Sequence, residues 1–231
     1  MHQEVIQDHE FGPLRLFQPP GPAHHLVLLL SGDGGWGPGV DAIAQRLASR
    51  GTVVAGIDVR RWLAVLEHAA STCVSPGASL AQLGRSLRAR YGLRERPALV
   101  GHSAGATLAY VALAQGRVPD FRGAVTLSFC EDLDLAKPLC AAAALRSTPR
   151  SNGVRLVPGG PLSAPWIGLH GLDDRECPAA EGRAFLEAVP GARFVPLPGE
   201  GHSYADIDRW WTPFNAAYGS LTAQAPGRPM Q

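Results

Sequence analysis

Apolar and polar positions along the chain follow a repeating order: a short apolar run, a turn containing glycine, then a stretch with amphipathic spacing. The run at 26–31 (LVLLLS) predicts a buried strand, and 38–50 predicts a helix stopped at Gly51. A strand at 53–58 (VVAGID) and a helix at 79–91 (SLAQLGRSLRARY) follow. Next come a strand at 98–102, a helix at 104–115 and a strand at 123–129 (GAVTLSF). A strand at 165–170 (PWIGLH), a helix at 179–189 and a strand at 193–197 complete the series. Strands alternating with helices imply a mainly parallel sheet with helices on both faces. The strands read as continuous apolar runs, which fits burial on both sides. An extended segment at 12–17 (GPLRLF) precedes the series.

Two stretches break the rhythm. Segments 60–76 and 130–161 would emerge at the carboxyl ends of strands, where open α/β sheets bind ligands. They are candidate cap or pocket-wall insertions within one domain spanning 1–231, with ordinary surface insertion as the competing reading. The tail beyond Tyr218 is expected to be frayed.

Composition narrows the function classes. Hydrophobic residues make up 45% of the 231 positions and charged residues 18%, too apolar for a disordered chain and enough for a sizeable core. With 21 Lys plus Arg against 20 Asp plus Glu, the net charge is +1. That lacks the basic excess of a nucleic-acid binder, so no such partner is expected. No apolar run approaches the roughly 18 residues of a membrane span. The first ten residues are polar, without the core of a signal peptide, so an exported form would be the mature chain.

Gly101-His102-Ser103-Ala104-Gly105 follows a predicted strand and opens a predicted helix, the context of a G-x-S-x-G nucleophile elbow. Ser103 would stand at the strand's end with the Ala104 N–H and the helix dipole facing a developing oxyanion. The bland reading is a glycine-rich turn. A serine nucleophile needs a base oriented by an acid, in chain order Ser, Asp or Glu, His. Asp174, with Asp173 in reserve, follows the late strand in Gly171-Leu172-Asp173-Asp174. His202 lies in Pro198-Gly199-Glu200-Gly201-His202, past the last strand. Taken singly, His202 reads as a surface histidine; the ordered trio Ser103, Asp174, His202 reads as a triad. No histidine or cysteine spacing suits a metal, and neither metal nor cofactor is expected.

The loop Ser31-Gly32-Asp33-Gly34-Gly35-Trp36-Gly37 has two readings. Gly32, Gly34 and Gly37 after a strand, with Asp58 about twenty residues later, match a dinucleotide fingerprint. In α/β-hydrolases the same loop supplies the second oxyanion amide, here from Asp33 or Gly34. The hydrolase reading also explains the elbow and His202, so the expected fold is of the α/β-hydrolase type. Asp33 is unusual beside a developing negative charge. It either points away to cap the helix or pairs with a cationic group of the substrate.

LLLSGDGGW, the GHSAG elbow, GLDDRECP and the GEGH loop together resemble the bacterial virulence protein VirJ family, whose domain also forms the C-terminal part of AcvB. The resemblance implies a periplasmic serine hydrolase of aminoacyl esters of phosphatidylglycerol, releasing an amino acid such as lysine or alanine. It carries the nucleophile onto Ser103, the acid onto Asp174 and the base onto His202. The partner it implies is an aminoacylated phospholipid met by peripheral contact with a membrane surface. Candidate substrate contacts are Asp33, Trp36, Trp62 and Tyr204. Trp62, Leu63, Val65 and Leu66, with Trp210 and Trp211, are candidates for an apolar approach, against core packing. In an oxidising periplasm the cysteines would pair as Cys130–Cys140 and Cys73–Cys177. A general carboxylesterase, a non-catalytic virulence or secretion-associated binding protein and a nucleotide-dependent oxidoreductase are the alternatives.

Overall fold

The computed structural model describes residues 1–116 and 118–222. In chain order the elements are β1 (His2–Asp8), β2 (Gly12–Gln18), β3 (His25–Leu30), α1 (Pro38–Ala48), β4 (Thr52–Ile57), α2 (Val59–Glu67), α3 (Pro76–Tyr91), β5 (Ala98–His102) and α4 (Ala104–Gln115). They continue with β6 (Ala124–Leu127), β7 (Asp132–Leu133), β8 (Arg146–Arg150), β9 (Gly153–Val157), β10 (Trp166–Gly171), α5 (Ala179–Ala188), β11 (Arg193–Leu197) and α6 (Ile207–Thr222).

An eight-stranded sheet in the order β1-β2-β4-β3-β5-β6-β10-β11 forms the centre. The β1–β2 and β2–β4 pairs are antiparallel and the other five are parallel. Side chains of a strand alternate between faces. Leu26, Leu28 and Leu30 therefore enter one core with α2, α3, α4 and α5. Val27 and Leu29 enter the other, with α1 and α6. This is why the strands read as unbroken apolar runs. Helix α4 is buried from Gly105 to Ala114, so it shows no amphipathic period.

Several parts of the fold lie outside the sequence expectation. β1 is a half-exposed edge strand with little apolar content, held to β2 through a turn in which Asp8 Oδ1 accepts from the Glu10 and Phe11 N–H groups at 2.9 and 3.0 Å. Segment 130–161 folds into a small antiparallel sheet, β7-β9-β8, that walls the site described below. α6 buries Trp210, Trp211, Phe214, Ala217, Tyr218 and Leu221, a helical stripe present in the sequence but interrupted by Pro213. It continues past Tyr218 to Thr222; the rest of the expected frayed tail, 223–231, lies outside the described residues.

The cysteine pairing differs from the expectation in both bridges. Cys73 joins Cys140 and Cys130 joins Cys177, with Cα separations of 4.9 and 5.3 Å. Cys140 does not return to Cys130. Instead, Val74 donates to the Pro138 carbonyl and Cys140 donates to the Val74 carbonyl, at 2.9 and 2.8 Å, which draws Cys140 to Cys73. Cys130, just past β6, is left beside the loop after β10.

Candidate active site

Strand β5 ends in a backbone reversal at Ser103, whose φ of 54° is left-handed. Such a conformation costs a non-glycine residue about 1–3 kcal/mol. The flanking glycines make the turn possible. A Cβ on Gly101 would lie 2.3 Å from the Gly105 carbonyl oxygen, and one on Gly105 would lie 2.3 Å from the Ser31 carbonyl oxygen. These contacts are with backbone, which cannot swing aside. Gly105→Ala is expected to cost about 3 kcal/mol and to lower the melting temperature by roughly 6–12 °C. A thermal melt unchanged from wild type would contradict this account of the elbow.

The loops after β10 and β11 bring the other two residues to the elbow. They are tied together, since Asp173 donates its N–H to the Glu200 carbonyl at 2.9 Å. His202 Nε2 stands 3.1 Å from Ser103 Oγ. His202 Nδ1 stands 3.0 Å from Asp174 Oδ2 and 3.1 Å from its Oδ1. Asp173 is exposed while Asp174 is 6% exposed, which decides between the two aspartates. His202 is held from the elbow side too: His102 Nε2 is 2.8 Å from the His202 carbonyl oxygen, so it carries the proton of that bond.

Asp174 is fully engaged. Its Oδ1 accepts from the Glu176 and Cys177 N–H groups, each at 2.9 Å, and its Oδ2 accepts from the Ser128 hydroxyl. Burial pushes this carboxyl up, but the bonds from Ser128, Cys177 and His202 outweigh it and hold it below the ordinary carboxylate range. Burial pushes His102 down, only partly offset by its bond to His202. It also pushes His170 down, against its bond to the Cys177 carbonyl. A histidine held below its unfolded value, near 6.5, supports the fold fully above that value, and the support fades as the pH falls through the folded pKa. The melting temperature should therefore fall as the pH drops below about 6.5. A flat profile there would contradict the neutral assignment of His102 and His170.

Asp33 and Gly34 are the exposed centre of a turn closed by the Gly35 N–H on the Gly32 carbonyl at 3.0 Å. Helix α1 has Gly37 as its N-cap without a side-chain bond, so Asp33 does not cap it. Ala104, which opens α4, has a first-turn N–H with no carbonyl partner inside the helix. Asp58, the acid of the dinucleotide reading, instead caps α2 by accepting from the Arg61 N–H at 3.2 Å.

Two cavities of about 290 and 320 Å³ share Asp33, Ser103, Glu176 and His202. Among the described residues that line the first, Asp33, Glu131, Asp132, Asp134, Glu176 and Glu181 face two cations, Arg150 and Arg155. Arg155 grips Asp132 with two bonds of 2.8 and 2.9 Å. The second is lined by the glycine loop, Val40, Ile43, Leu127, Tyr204 and Trp210. Among the described residues no group of three or more His, Cys, Asp or Glu is disposed to hold a metal ion.

Several expected substrate contacts are elsewhere. Trp62 is wholly buried against Phe11, with ring centroids 4.8 Å apart, because α2 starts directly after β4 and turns this face into the core. Trp36 lines neither cavity; it lies over Gly56 and donates to Asp41 Oδ1 at 3.1 Å. Tyr204 reaches the second cavity, but its hydroxyl is committed beneath the acid loop. Trp211 packs in the core under α6, and Trp210, buried beside it, also borders the second cavity, while Leu63 borders the first. Sequence reading missed Ser128 and Glu176. Glu176 Oε2 is 3.5 Å from His202 Nε2, and its place in GLDDRECP, two residues past the acid, was the available signal. Ser128 sat inside a predicted strand that stops at Leu127.

The profile of the family described as "Bacterial virulence protein (VirJ)" matches residues 24–123, the stretch that holds the glycine loop and the elbow. The chain is thus similar to that family where the sequence resemblance was most specific. No curated protein matches in sequence. Est1E from Butyrivibrio proteoclasticus has a similar structure, with a TM-score of 0.66 at 15% identity over 97% of this chain and 100% of that one. A putative dienelactone hydrolase from Klebsiella pneumoniae gives 0.67 at 16% identity, over 97% and 98%. Thermogutta terrifontis esterase 2 phosphorylated by paraoxon gives 0.67 at 17% identity, over 98% and 96%. The chain has the α/β-hydrolase fold.

Proposed function

We propose that this chain is a serine ester hydrolase that removes the aminoacyl group from aminoacylated phosphatidylglycerol, returning the lipid and free lysine or alanine. The observation that carries the hydrolase reading is the unbroken line from Ser103 Oγ through His202 at 3.1 Å to Asp174 at 3.0 Å, on a nucleophile elbow. His202 takes the Ser103 proton as Oγ attacks the ester carbonyl. The N–H of Ala104 and that of Asp33 or Gly34 hold the oxyanion. The ester C–O bond then breaks, and phosphatidylglycerol leaves with the proton from His202. Water, deprotonated by the same histidine, hydrolyses the aminoacyl-enzyme. A fluorophosphonate should label the peptide containing Ser103 in wild type and leave Ser103→Ala unlabelled; labelling elsewhere or not at all would count against the mechanism.

The lipid reading draws on the VirJ resemblance and on the charge of the first cavity. Six carboxylates against two arginines favour an acyl group that carries an ammonium. The apolar second cavity suits the leaving lipid. On the lipid reading the enzyme meets its substrate by peripheral contact with a membrane surface; no helix among the described residues is long and apolar enough to cross a membrane. Two disulfides suit an oxidising compartment, here the periplasm. Asp33→Ala should raise KM for a lysyl ester about threefold, as expected for an exposed ion pair, and leave a neutral ester unaffected. Equal effects on both esters would sink the pairing. The esterase names of the structural neighbours favour a second reading, a general carboxylesterase without preference for amino-bearing acyl groups.

A further inference from the structure

Among the described residues, Ser103, Ser128 and Tyr204 are the non-glycine positions with positive φ, at 54°, 48° and 49°. The first is the nucleophile. The other two come from different loops, after β6 and after β11, and their hydroxyl oxygens are 3.0 Å apart. Left-handed backbone at such residues persists only where the surroundings over-determine it. Here the surroundings are the acid of the triad.

The direction of each bond follows from counting protons. Ser128 has one hydroxyl proton, and the Asp174 carboxylate can only accept, so that proton points at Oδ2. Ser128 Oγ is then the acceptor for the Tyr204 O–H, a closer partner than the Leu169 carbonyl at 3.3 Å. The Tyr204 oxygen in turn accepts the Gly171 N–H at 3.0 Å. Ser128 is fully buried and Tyr204 nearly so, and burial pushes the phenol up to about 12, which keeps its proton in place. Donors aligned head to tail in a dry interior polarise one another.

We propose that Ser128 and Tyr204 are positioning residues, a one-way donor relay from Gly171 that keeps the Asp174 carboxylate ionised and aimed at His202. The proposal rests on the reading of Asp174 as the triad acid. Tyr204 thereby has a task other than substrate contact. Its hydroxyl ties the base loop to the strand carrying the acid, and its ring meets His102 and Trp210 edge-on at 5.7 and 5.5 Å.

The test uses Ser128→Gly and Tyr204→Phe. Glycine removes the hydroxyl but adopts the φ of 48° without strain, so a loss of activity cannot be laid to a disturbed backbone. Three quantities are read: the melting temperature, kcat and KM on p-nitrophenyl acetate, and the Asp174 titration from its ¹³Cγ shift. The titratable groups facing Asp174 are His202 at 3.0 Å and His170 at 3.7 Å. Glu176 and His102 lie behind them against His202. Neither substitution alters any of these four. The relay predicts an Asp174 pKa raised by about one unit in Ser128→Gly and by less in Tyr204→Phe. It predicts kcat lowered roughly tenfold or more with KM nearly unchanged, and a fold that stays intact with a melting temperature lowered by a few degrees, since each change strands a buried hydrogen-bond partner. A raised titration without any Ser103-dependent turnover in wild type would support the relay and refute the hydrolase reading instead. An unmoved titration overturns the relay, even if kcat falls, because the residues would then be packing alone.

Discussion

Ser103→Ala is expected to lower kcat by about 10⁴–10⁶-fold while the protein stays folded, because it removes the atom that forms the bond. The side chain is small and, among the described residues, its hydroxyl bonds only to His202 Nε2 at 3.1 Å, so the structural cost is slight. His202→Ala should lose a comparable factor, since the hydroxyl then has no base within reach. The double variant should be little worse than either single one, because serine and histidine act as a unit. Residual turnover over water would come from the oxyanion donors and from binding. Steady-state kinetics on a short ester, with circular dichroism to verify folding, would measure all three. Multiplying losses in the double variant would mean that the two residues act independently, contrary to the geometry.

Loss of the two disulfides should have the largest effect on stability. They close separations of 67 and 47 residues, and in the chain-entropy model each loop of that length is worth about 4 kcal/mol. Together that is comparable to the whole stability of a typical domain, about 5–15 kcal/mol. Reduced and alkylated protein is therefore expected to melt far lower than the oxidised form and to lose its fold near 37 °C. The bridges should differ in function. Cys73–Cys140 anchors the excursion at a distance from the triad, so replacing both of its cysteines by serine should lower stability with little change in kcat. Cys177 donates its N–H to Asp174 at 2.9 Å, so replacing Cys130 and Cys177 should lower kcat as well. Equal melting of reduced and oxidised protein would contradict the bridges, and equal kcat losses from the two pairs would contradict the coupling to Asp174.

The central strands, their helices and the loops that bring Ser103, Asp174 and His202 together were legible in the sequence because each leaves a local mark. A strand buried on both faces is an apolar run, and a turn as tight as the elbow must have glycine at 101 and 105. Loops carrying the acid and base follow strands that the same pattern reveals. The disulfide partners were not legible, because pairing depends on where 130–161 travels, and its strands are exposed or short. Trp62 was misread because 60–76 reads as an insertion, whereas α2 follows β4 directly and packs this residue into the core; Trp36 was misread because it sits in a loop, and its contact with Gly56 comes from a strand twenty positions on. Ser128 had no mark of its own. Its task depends on Tyr204, 76 positions away, and on a bond that exists only once β6, β10 and β11 lie side by side.

The measurement that tests the account most directly is release of amino acid from lysyl- and alanyl-phosphatidylglycerol in mixed micelles. Wild type is compared with Ser103→Ala, with a short neutral ester alongside. The account predicts release by wild type only, faster than turnover of the neutral ester. Turnover of the neutral ester alone would keep the triad and discard the lipid, and no serine-dependent turnover of either would contradict the central claim.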